Sequence, residues 1–482
     1  MDKKYVAYAG SYTHESSKGI HIYDCDVAKG RITEREEVAI DNPSFITFSH
    51  DKNFLYSICD QGVSAYAVLE DGSLELMNVA SINGMRGCHI CVTSDNRFLV
   101  VSGYHDGKIT VLHINADGSA GFIADEVFHK GIGSVAERNF RPHISWSTFT
   151  PDEELLCVCD PGIDQIKLYE FNHVTGKLKL YDIIRSQQES APRQIKFSQD
   201  GKFAYVVCEM KNYINVYSYD KNSDKDRFDL VQNIFTVRRD HKSNSAAANI
   251  TFDSTGKHLL CSNAGDNTVT IYKVDSKTGK LSSLNSLPIS GDYPKYIRLF
   301  PDDKHLMSMN NEGNSITIFT VKYDKGLIIM NGPELKISRP NNMINVGQLN
   351  EGFVLDHIEA GKAMDIYNNL GLGKLDCQVA IIKNARSNKM GKKDIIKIEG
   401  GLDLVDLDVL GFVDHNITVN IIKNGEIVEK KTLSLPKQVT NIIKCKNPRC
   451  ITSIEQGLKQ VFVLADEEKQ VYRCKYCEEK YS

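Results

Sequence analysis

The chain has 482 residues, of which 41% are hydrophobic and 25% charged, with a formal net charge of −4 at pH 7. This length predicts two or more domains, and the small net charge argues against nucleic-acid and membrane partners. No apolar run approaches the roughly 18 residues of a membrane span, and the first residues lack the apolar core of a signal peptide. Thirteen cysteines spread over such a chain favour a cytoplasmic protein with reduced thiols.

Similar stretches recur along the first two thirds of the chain, about 45 to 55 residues apart. They begin at Asn42, Gly87, Arg141, Ala191, Ala246 and Tyr293. Each stretch predicts a short strand, a polar turn, an apolar strand and then alternating strands. Four short strands in about 45 to 50 residues are typical of a propeller blade.

The chain begins in the middle of such a unit. Residues Tyr5–Ile32 match only the later strands, and the missing first strand matches Pro340–Val346. Pairing these two segments closes a ring of seven blades and removes its exposed sheet edges. We therefore predict an all-β, seven-bladed propeller over residues 1–342.

A shared register predicts which side chains line the central channel. The first-strand position is occupied by Ser44, Cys88, Ser145, Arg193, Ala248, Lys295 and Asn341. A second register, after the next strand, contains Asp60, Tyr104, Pro161, Glu209, Ala264 and Asn311. Two cations could hold a phosphorylated anion, and a carboxylate beside them could activate water against a lactone carbonyl. The alternative is that these charges only pair with each other.

A second candidate motif, Cys88-His89-Ile90-Cys91, has the spacing of a metal site. It falls on a predicted strand, where residues i and i+3 point to opposite faces. We therefore interpret it as strand packing.

Several motifs of this part resemble the β-propeller lactonase family, which includes 6-phosphogluconolactonases and cycloisomerase-like enzymes. They are Gly10–Thr13, Asn42–Phe45, Pro142-His143, Ala191–Arg193, Cys208-Glu209 and Ser262-Asn263. The resemblance implies a sugar-lactone hydrolase without a cofactor, with Arg193 and Glu209 as catalytic residues supported by His143 and Lys295. The family's second histidine and its fifth-blade arginine are replaced here by Ser145 and Ala264. A non-catalytic scaffold, or a cycloisomerase acting on an unsaturated diacid, are the alternatives.

From Met343 the blade pattern stops. Apolar residues at helical spacing predict a helix over Gly361–Leu370, and a second helix fits around Leu402–Leu410. Strands flank both helices, which predicts a small α+β domain over residues 343–437.

The remaining residues, 438–482, contain the motif Cys445-x4-Cys450 followed by Cys474-x2-Cys477. Two close cysteine pairs joined by a hairpin-length insert can place four thiolates at the corners of a tetrahedron. Such a set leaves no open coordination position, so we predict one structural zinc ion in a zinc-ribbon-like β domain. Basic side chains that offset the thiolate charge are Lys446, Arg449, Arg473 and Lys475.

These two domains resemble the regulatory chain of aspartate carbamoyltransferase. The similar segments are Gly352–Ile358, Met390–Glu399, Asn416–Asn420, Leu435-Pro436 and the four cysteines. The resemblance implies a non-catalytic, allosteric role in pyrimidine biosynthesis: a nucleotide-binding domain for CTP or ATP, and a zinc domain that docks on the catalytic chain. It also implies self-association of regulatory chains.

Matching motif positions places the implied effector site at Asp356, His357, Lys393, Lys397, Asn420 and Lys430. Three lysines can neutralise a triphosphate, and Asp356 can accept hydrogen bonds from ribose hydroxyls. Without the other motifs, the run of charges containing Lys393 and Lys397 would rather indicate a solvated strand edge.

The junction has two conflicting roles. Met343 lies in the strand that should close the propeller, and it also aligns with the start of free-standing regulatory chains, whose early strand lies near the nucleotide. One segment cannot fully do both, and no flexible linker separates the domains. A gene fusion, or a misread stop between adjacent genes, would explain this arrangement.

Overall fold

The computed structural model describes residues 5–69, 71–134, 139–223, 226–238, 244–347, 351–375, 377, 379–387, 391–423, 426–455 and 457–481. The chain divides into two compact units, and the first ends at Gly347. Within the described residues, no helix is long and apolar enough to cross a membrane.

The first unit consists of seven antiparallel sheets arranged as the repeat pattern predicts. In chain order, its strands are β1 (Tyr5–Ser11), β2 (Gly19–Asp26) and β3 (Arg31–Ala39) of blade seven; β4 (Ile46–Phe48), β5 (Phe54–Cys59), β6 (Gly62–Val68) and β7 (Leu74–Ala80) of blade one; β8 (His89–Val92), β9 (Phe98–Gly103), β10 (Lys108–Ile114) and β11 (Ala120–Phe128) of blade two; and β12 (Trp146–Phe149), β13 (Leu155–Asp160), β14 (Gln165–Phe171) and β15 (Leu178–Arg185) of blade three.

The later blades follow the same order. Their strands are β16 (Pro192–Phe197), β17 (Phe203–Cys208), β18 (Tyr213–Tyr219) and β19 (Phe228–Phe235) of blade four; β20 (Ala246–Phe252), β21 (His258–Ala264), β22 (Thr268–Val274) and β23 (Leu281–Pro288) of blade five; β24 (Pro294–Leu299), β25 (His305–Asn310), β26 (Ser315–Lys322), β27 (Leu327–Met330) and β28 (Leu335–Lys336) of blade six, with a 3-10 turn at Tyr323–Lys325; and β29 (Pro340–Gly347), the first strand of blade seven.

The first strands of neighbouring blades lie next to each other around a closed ring. The second strands, such as β5 and β17, are buried along their whole length because each is covered on both faces by neighbouring blades. Most side chains of the outer strands β3 and β19 are exposed or half-buried, and many of them are polar. Because the inner strands are apolar and the outer strands are polar, the inner strands are the easiest to recognise in the sequence.

In three blades, a tyrosine on the second strand forms a hydrogen bond to the neighbouring blade. Tyr8, Tyr56 and Tyr205 donate their hydroxyl groups to the carbonyls of Gly72, Gly118 and Gly279, at 2.6, 2.9 and 2.8 Å. Each glycine lies in an outer turn of the next blade. These buried hydrogen bonds fix the offset between successive blades.

The predicted ring closure is confirmed. β29 pairs antiparallel with β1, with Ala9 opposite Met343, so the end of this unit completes the sheet that its beginning left open. The side chain of Asn342 also bonds to the backbone N and O of Ile46 in blade one, at 3.1 and 2.9 Å. The expected domain boundary at 342/343 therefore falls inside a strand that the propeller uses, and Met343 is fully buried there.

The second unit begins with a five-stranded antiparallel sheet of order β31-β32-β30-β33-β34. Its elements are β30 (Glu351–Glu359), α1 (Ala363–Asn369), a 3-10 turn (Leu372–Lys374), β31 (Val379–Ser387), β32 (Gly391–Glu399), a second 3-10 turn (Leu402–Leu404), α2 (Leu407–Val413), β33 (Thr418–Lys423) and β34 (Glu426–Thr432). Both helices contribute to one apolar core with the inner face of the sheet. The first predicted helix is confirmed, and Met390 of the similar segments lies outside the described residues.

The second predicted helix begins later than expected, at Leu407 rather than near Leu402. The side chain of Asp406 accepts hydrogen bonds from the backbone N–H groups of Asp408 and Val409, at 2.9 and 3.2 Å. An aspartate in this position caps the helix and sets its start. The apolar spacing alone did not locate that cap.

A second, smaller sheet follows, with order β35-β36-β37-β38. Its elements are β35 (Gln438–Thr440), α3 (Ile451–Ile454), β36 (Val461–Asp466), β37 (Val471–Cys474) and β38 (Lys480–Tyr481). Phe412 of α2 packs edge-on against Tyr472, with ring centroids 5.1 Å apart. The Tyr472 hydroxyl donates to the carbonyl of Pro436 at 2.7 Å, so the small sheet is anchored to the segment that leads into it.

Candidate functional sites

One mouth of the propeller channel holds a cavity of about 390 Å³, which we call the mouth cavity. Every residue of the first predicted register lines it: Ser44, Cys88, Ser145, Arg193, Ala248, Lys295 and Asn341. Each blade thus contributes one side chain from the equivalent point of its first strand.

Arg193 and Glu209 form an ion pair inside this cavity, with Nη1 2.7 Å from Oε2. Arg193 lies at a β-bulge, because the register between β16 and β17 shifts between Pro192 and Gln194. Glu209 follows the last residue of β17, and its backbone N–H donates to the carbonyl of Ala191 at 2.9 Å. The bulge and this hydrogen bond bring the two side chains together. Burial lowers the pKa of Arg193, but the Glu209 carboxylate more than compensates, so the guanidinium stays charged.

Lys295 lies in the same cavity, and its Nζ donates to Oδ1 of Asn341 at 2.7 Å. The ammonium also stands 5.1 Å from the ring centre of Tyr12, which adds a cation–π contact. Burial, and then the nearby charge of Arg193, lower the pKa of Lys295 to about 8. Two cations and one carboxylate therefore share a small, partly desolvated space.

The second predicted register is only partly correct. Tyr104 and Glu209 line the cavity, whereas the Asp60 carboxylate is held outside it by Arg86, with Oδ1 2.7 Å from Nη1. Asn311 is buried and donates to Asn341 at 3.2 Å. These positions follow the second strand, where turn geometry differs from blade to blade, so one register does not hold for all of them.

His143 lies behind the cavity wall. Its ring stacks on Tyr104 with centroids 4.5 Å apart, and Nδ1 is 2.8 Å from the Tyr104 carbonyl. In this position the imidazole orients Tyr104 and does not itself line the cavity. The two registers did not predict several other lining residues, among them Tyr12, His105, Trp146, Tyr293 and Tyr296. Of these, Tyr12 belongs to the Gly10–Thr13 motif of the lactonase resemblance.

Three of the four residues of the Cys88–Cys91 segment lie on β8 (His89–Val92), in agreement with the predicted strand. Cys88 lines the mouth cavity, while His89 packs on Trp146 with ring centroids 3.7 Å apart. Within the described part of the chain, the one cluster of side chains suited to a metal ion lies elsewhere, at the four C-terminal cysteines.

In the second unit, most of the predicted effector residues share one face of the sheet. Lys397, Val354, Asn420 and Lys430 form one cross-strand row on β32, β30, β33 and β34. The helices pack on the opposite face, where Phe353 and other alternate residues are buried. This row therefore lies on the face of the sheet that the helices leave open.

Asp356 extends the row by two residues along β30. Lys393 reaches it with Nζ 2.6 Å from Oδ1, and the backbone N–H of His357 donates to the same oxygen at 2.7 Å. His357 stands at a bulge, with a φ of 63°. Oδ1 of Asn420 is buried, and among the described residues it has no hydrogen-bond partner. A buried acceptor in that state is suited to a ligand donor group.

The four C-terminal cysteines meet at one point. Their sulfur atoms all lie within 4.8 Å of one another, with 3.5 Å between Cys445 and Cys477 and 3.7 Å between Cys450 and Cys474. Thiolates bound to a tetrahedral zinc ion at about 2.3 Å are about 3.8 Å apart. The observed spacing therefore fits a tetrahedral metal ion of that size.

The surroundings of the cluster hold the thiols in place. The backbone N–H of Cys445 donates to Gln460 Oε1 at 3.0 Å, and the amide of Gln460 donates to the Thr452 carbonyl at 2.8 Å. The Thr452 hydroxyl lowers the pKa of Cys450 to about 6, whereas burial raises the pKa of Cys445 and Cys474. A divalent cation would bind all four as thiolates and stabilise this arrangement.

Fold and sites together define a lactonase-type propeller joined to a metal-binding regulatory region. The profile of "Lactonase, 7-bladed beta-propeller" matches residues 6–344. The allosteric and metal-binding domains of the aspartate carbamoyltransferase regulatory chain match residues 344–434 and 437–482. The chain belongs to the propeller lactonase family in its first part and to the regulatory chain family in its last.

Individual relatives agree with this assignment. The chain is 53% identical over 140 residues to an aspartate carbamoyltransferase regulatory chain of Clostridium botulinum. This alignment covers 29% of this chain and 95% of the relative. It is 28% identical over 333 residues to a 6-phosphogluconolactonase of Bacillus subtilis, covering 68% of this chain and 94% of the relative. A solved candidate 6-phosphogluconolactonase of Bacteroides fragilis is 28% identical, with a TM-score of 0.66 over 72% of this chain and 98% of that one.

Proposed function

We propose that the propeller hydrolyses a phosphorylated sugar lactone such as 6-phosphogluconolactone, in the mouth cavity. The observation that carries this proposal is the Arg193–Glu209 ion pair beside Lys295, inside a cavity of about 390 Å³. A lactone substrate presents a neutral carbonyl and an anionic phosphate, and the cavity offers a carboxylate and two cations for them. The similarity to 6-phosphogluconolactonases supports the same substrate class.

Glu209, Arg193 and Lys295 each have a separate role in the proposed reaction. Glu209 takes a proton from a water molecule, and the resulting hydroxide adds to the lactone carbonyl carbon. Arg193 stabilises the negative charge that then develops on the carbonyl oxygen. The tetrahedral intermediate collapses, the bond to the ring oxygen breaks, and that oxygen leaves as an alcohol after receiving the proton held by Glu209. Lys295 holds the phosphate and orients the ring.

We expect binding of an anionic ligand to weaken as the pH rises through about 8. The pKa of Lys295 is lowered to about 8 by burial and by Arg193, so the ammonium that should hold the phosphate loses its proton above that pH. The dissociation constant of 6-phosphogluconate, a stable product-like probe, should rise roughly tenfold between pH 7 and pH 9, as one protonation step predicts. Calorimetry across this range measures it.

The matched control is Lys295→Met, which should bind the probe weakly at both pH values and show little change between them. An unchanged pH dependence in this variant would assign the titration to another group. Arg193, the nearby cation that lowers the pKa of Lys295, keeps its charge throughout this range because the Glu209 carboxylate raises the pKa of Arg193.

We also propose that the second unit is a non-catalytic regulator that binds CTP or ATP and docks on the aspartate carbamoyltransferase catalytic chain in the cytoplasm. The open sheet face offers Lys397, Lys393 and Lys430 for phosphates, Asp356 for ribose hydroxyls and Asn420 for a base amino group. The 53% identity to a regulatory chain supports the partner, and the match of residues 344–434 to that chain's allosteric domain supports an effector site. Self-association of regulatory regions is part of the same proposal.

Lys430→Ala should weaken nucleotide binding by roughly 1.5–3 kcal/mol, the value of a hydrogen bond to a charged group. Lys430 stands opposite Asn420 in the cross-strand row, so its side chain shares the proposed ligand face. Lys431→Ala is the matched control, because the next residue along a strand points to the other face. Titration calorimetry with CTP and with ATP measures both, and equal losses in the two variants would reject the assignment.

A further inference from the structure

A second group of cations lies deeper in the propeller channel. Lys196 and Arg298 occupy equivalent positions on β16 and β24, where they pair with Tyr205 and Met307 of the next strands. Their sequence neighbours Ile195 and Ile297 point into the cores between blades. Because side chains alternate along a strand, Lys196 and Arg298 point the other way.

Both cations lie on first strands, three residues along the chain from Arg193 and Lys295 of the mouth cavity, so they occupy one level of the channel. The charge of Lys196 acts on His89 of blade two, where burial and that charge lower the histidine pKa to about 3. Burial, followed by the charge of Arg298, lowers the pKa of Lys196 to about 7. Blades four and six therefore each place a cation at this level of the channel, and the charge of Arg298 contributes to the lowered pKa of Lys196.

The site lacks a counter-charge. Among the residues that the structure describes, neither Lys196 nor Arg298 forms an ion pair with a carboxylate. Arg298 instead lies beside the hydroxyl of Tyr296. Two like charges in a partly desolvated channel repel each other, and an anion between them removes that repulsion.

Three other blades add a threonine hydroxyl at the same register, and the remaining two add no carboxylate. The threonines are Thr47, Thr148 and Thr251, and the other two positions are Cys91 and Ile344. Ammonium, guanidinium and hydroxyl donors suit an oxyanion.

A layer of aromatic rings separates this level from the mouth cavity. Phe45 stands 4.6 Å from His89, 5.6 Å from Trp146 and 6.4 Å from Tyr296, measured between ring centres. Phe45, Trp146 and Tyr296 also line the mouth cavity, so the layer is the boundary between the two levels. A ligand on the Lys196 side would not occupy the substrate position.

We propose that Lys196 and Arg298 form a second anion site in the channel, below the aromatic layer, which binds a free tetrahedral dianion such as inorganic phosphate or sulfate. The site is distinct from the Arg193–Glu209 cavity and does not depend on lactonase activity.

Sulfate is the suitable probe, because it stays a dianion near neutral pH. Trp146 is the single tryptophan of the chain and lies in the aromatic layer, so its fluorescence reports on both levels. The full chain should show a saturable sulfate response by fluorescence and by calorimetry. Lys196→Met and Arg298→Met should each weaken it at least tenfold, while Lys196→Arg should retain it.

Two further variants locate the anion. Lys295→Met removes the cation of the mouth cavity, so the saturable response that this variant retains comes from the second site, and Lys202→Met, an exposed lysine of the same blade, should have no effect. Loss of the response in Lys295→Met but not in Lys196→Met would place the anion in the mouth cavity and overturn the proposal. Absence of saturable binding by calorimetry would also overturn it. Melting curves of each variant, which should match those of the parent chain, exclude unfolding as the cause.

Discussion

Cys474→Ser should abolish metal binding and unfold the C-terminal sheet, while the propeller keeps its melting transition. Cys474 is buried at the end of β37 and supplies one of four sulfur atoms that lie within 4.8 Å of one another. The small sheet has a core of only a few apolar side chains, so the ion would provide most of its stability. Structural zinc contributes on the order of 10 kcal/mol in comparable sites.

Elemental analysis of the purified chain should give one zinc ion per chain, and none for the variant. Cys377→Ser is the matched control, since this half-buried cysteine lies outside the cluster, and it should keep the metal. Binding to the aspartate carbamoyltransferase catalytic chain, measured by gel filtration, should be lost with the metal. A zinc-free parent chain would disprove the metal assignment, whereas a zinc-loaded chain that fails to bind would disprove only the partner.

Glu209→Gln should slow lactone hydrolysis by about 10²–10⁴-fold, the usual contribution of a general base. The amide keeps the shape of the carboxylate and a hydrogen bond to Arg193, but it cannot accept the proton of the attacking water. A pH-stat assay with 6-phosphogluconolactone measures the rate, with the uncatalysed hydrolysis subtracted.

Glu312→Gln is the control for this variant. Glu312 is exposed and follows Asn311, which holds in blade six the register position that Glu209 holds in blade four, so its rate should not change. If the parent chain gives no rate above background, the replacements at Ser145 and Ala264 have removed the activity and the propeller serves as a binding scaffold. Turnover of an unsaturated diacid in its place would favour a cycloisomerase.

The propeller could be predicted closely from the sequence because the pattern of strands and turns is local and recurs in every blade. Each blade carries the same turn between its first and second strands, so aligning the turns also aligned the side chains beside them. All seven residues of the first register line one cavity as a result. The second register was less accurate, since Asp60 and Asn311 lie in the turns after the second strands, and the hydrogen bonds of those turns differ between blades.

The four cysteines could likewise be located from sequence, because ligand spacing within a hairpin restricts how the sulfur atoms can meet. The junction could not be resolved in the same way. Residues after Pro340 suited two strands equally well, and only the pairing of Met343 with Ala9 assigned them to the propeller. The blade repeat predicted this pairing, but the similarity to regulatory chains predicted a competing role for Met343, and no local pattern chooses between the two.

The sequence by itself therefore predicted the number of blades, the closure of the ring, the four-cysteine cluster and one residue of each blade around the mouth cavity. Only the tertiary structure showed the ion pair between Arg193 and Glu209 and the position of His143 behind Tyr104. The physical reason is the shape of the channel. Its side chains come from different blades, far apart in sequence, and their distances and charges depend on how the closed ring brings those blades together.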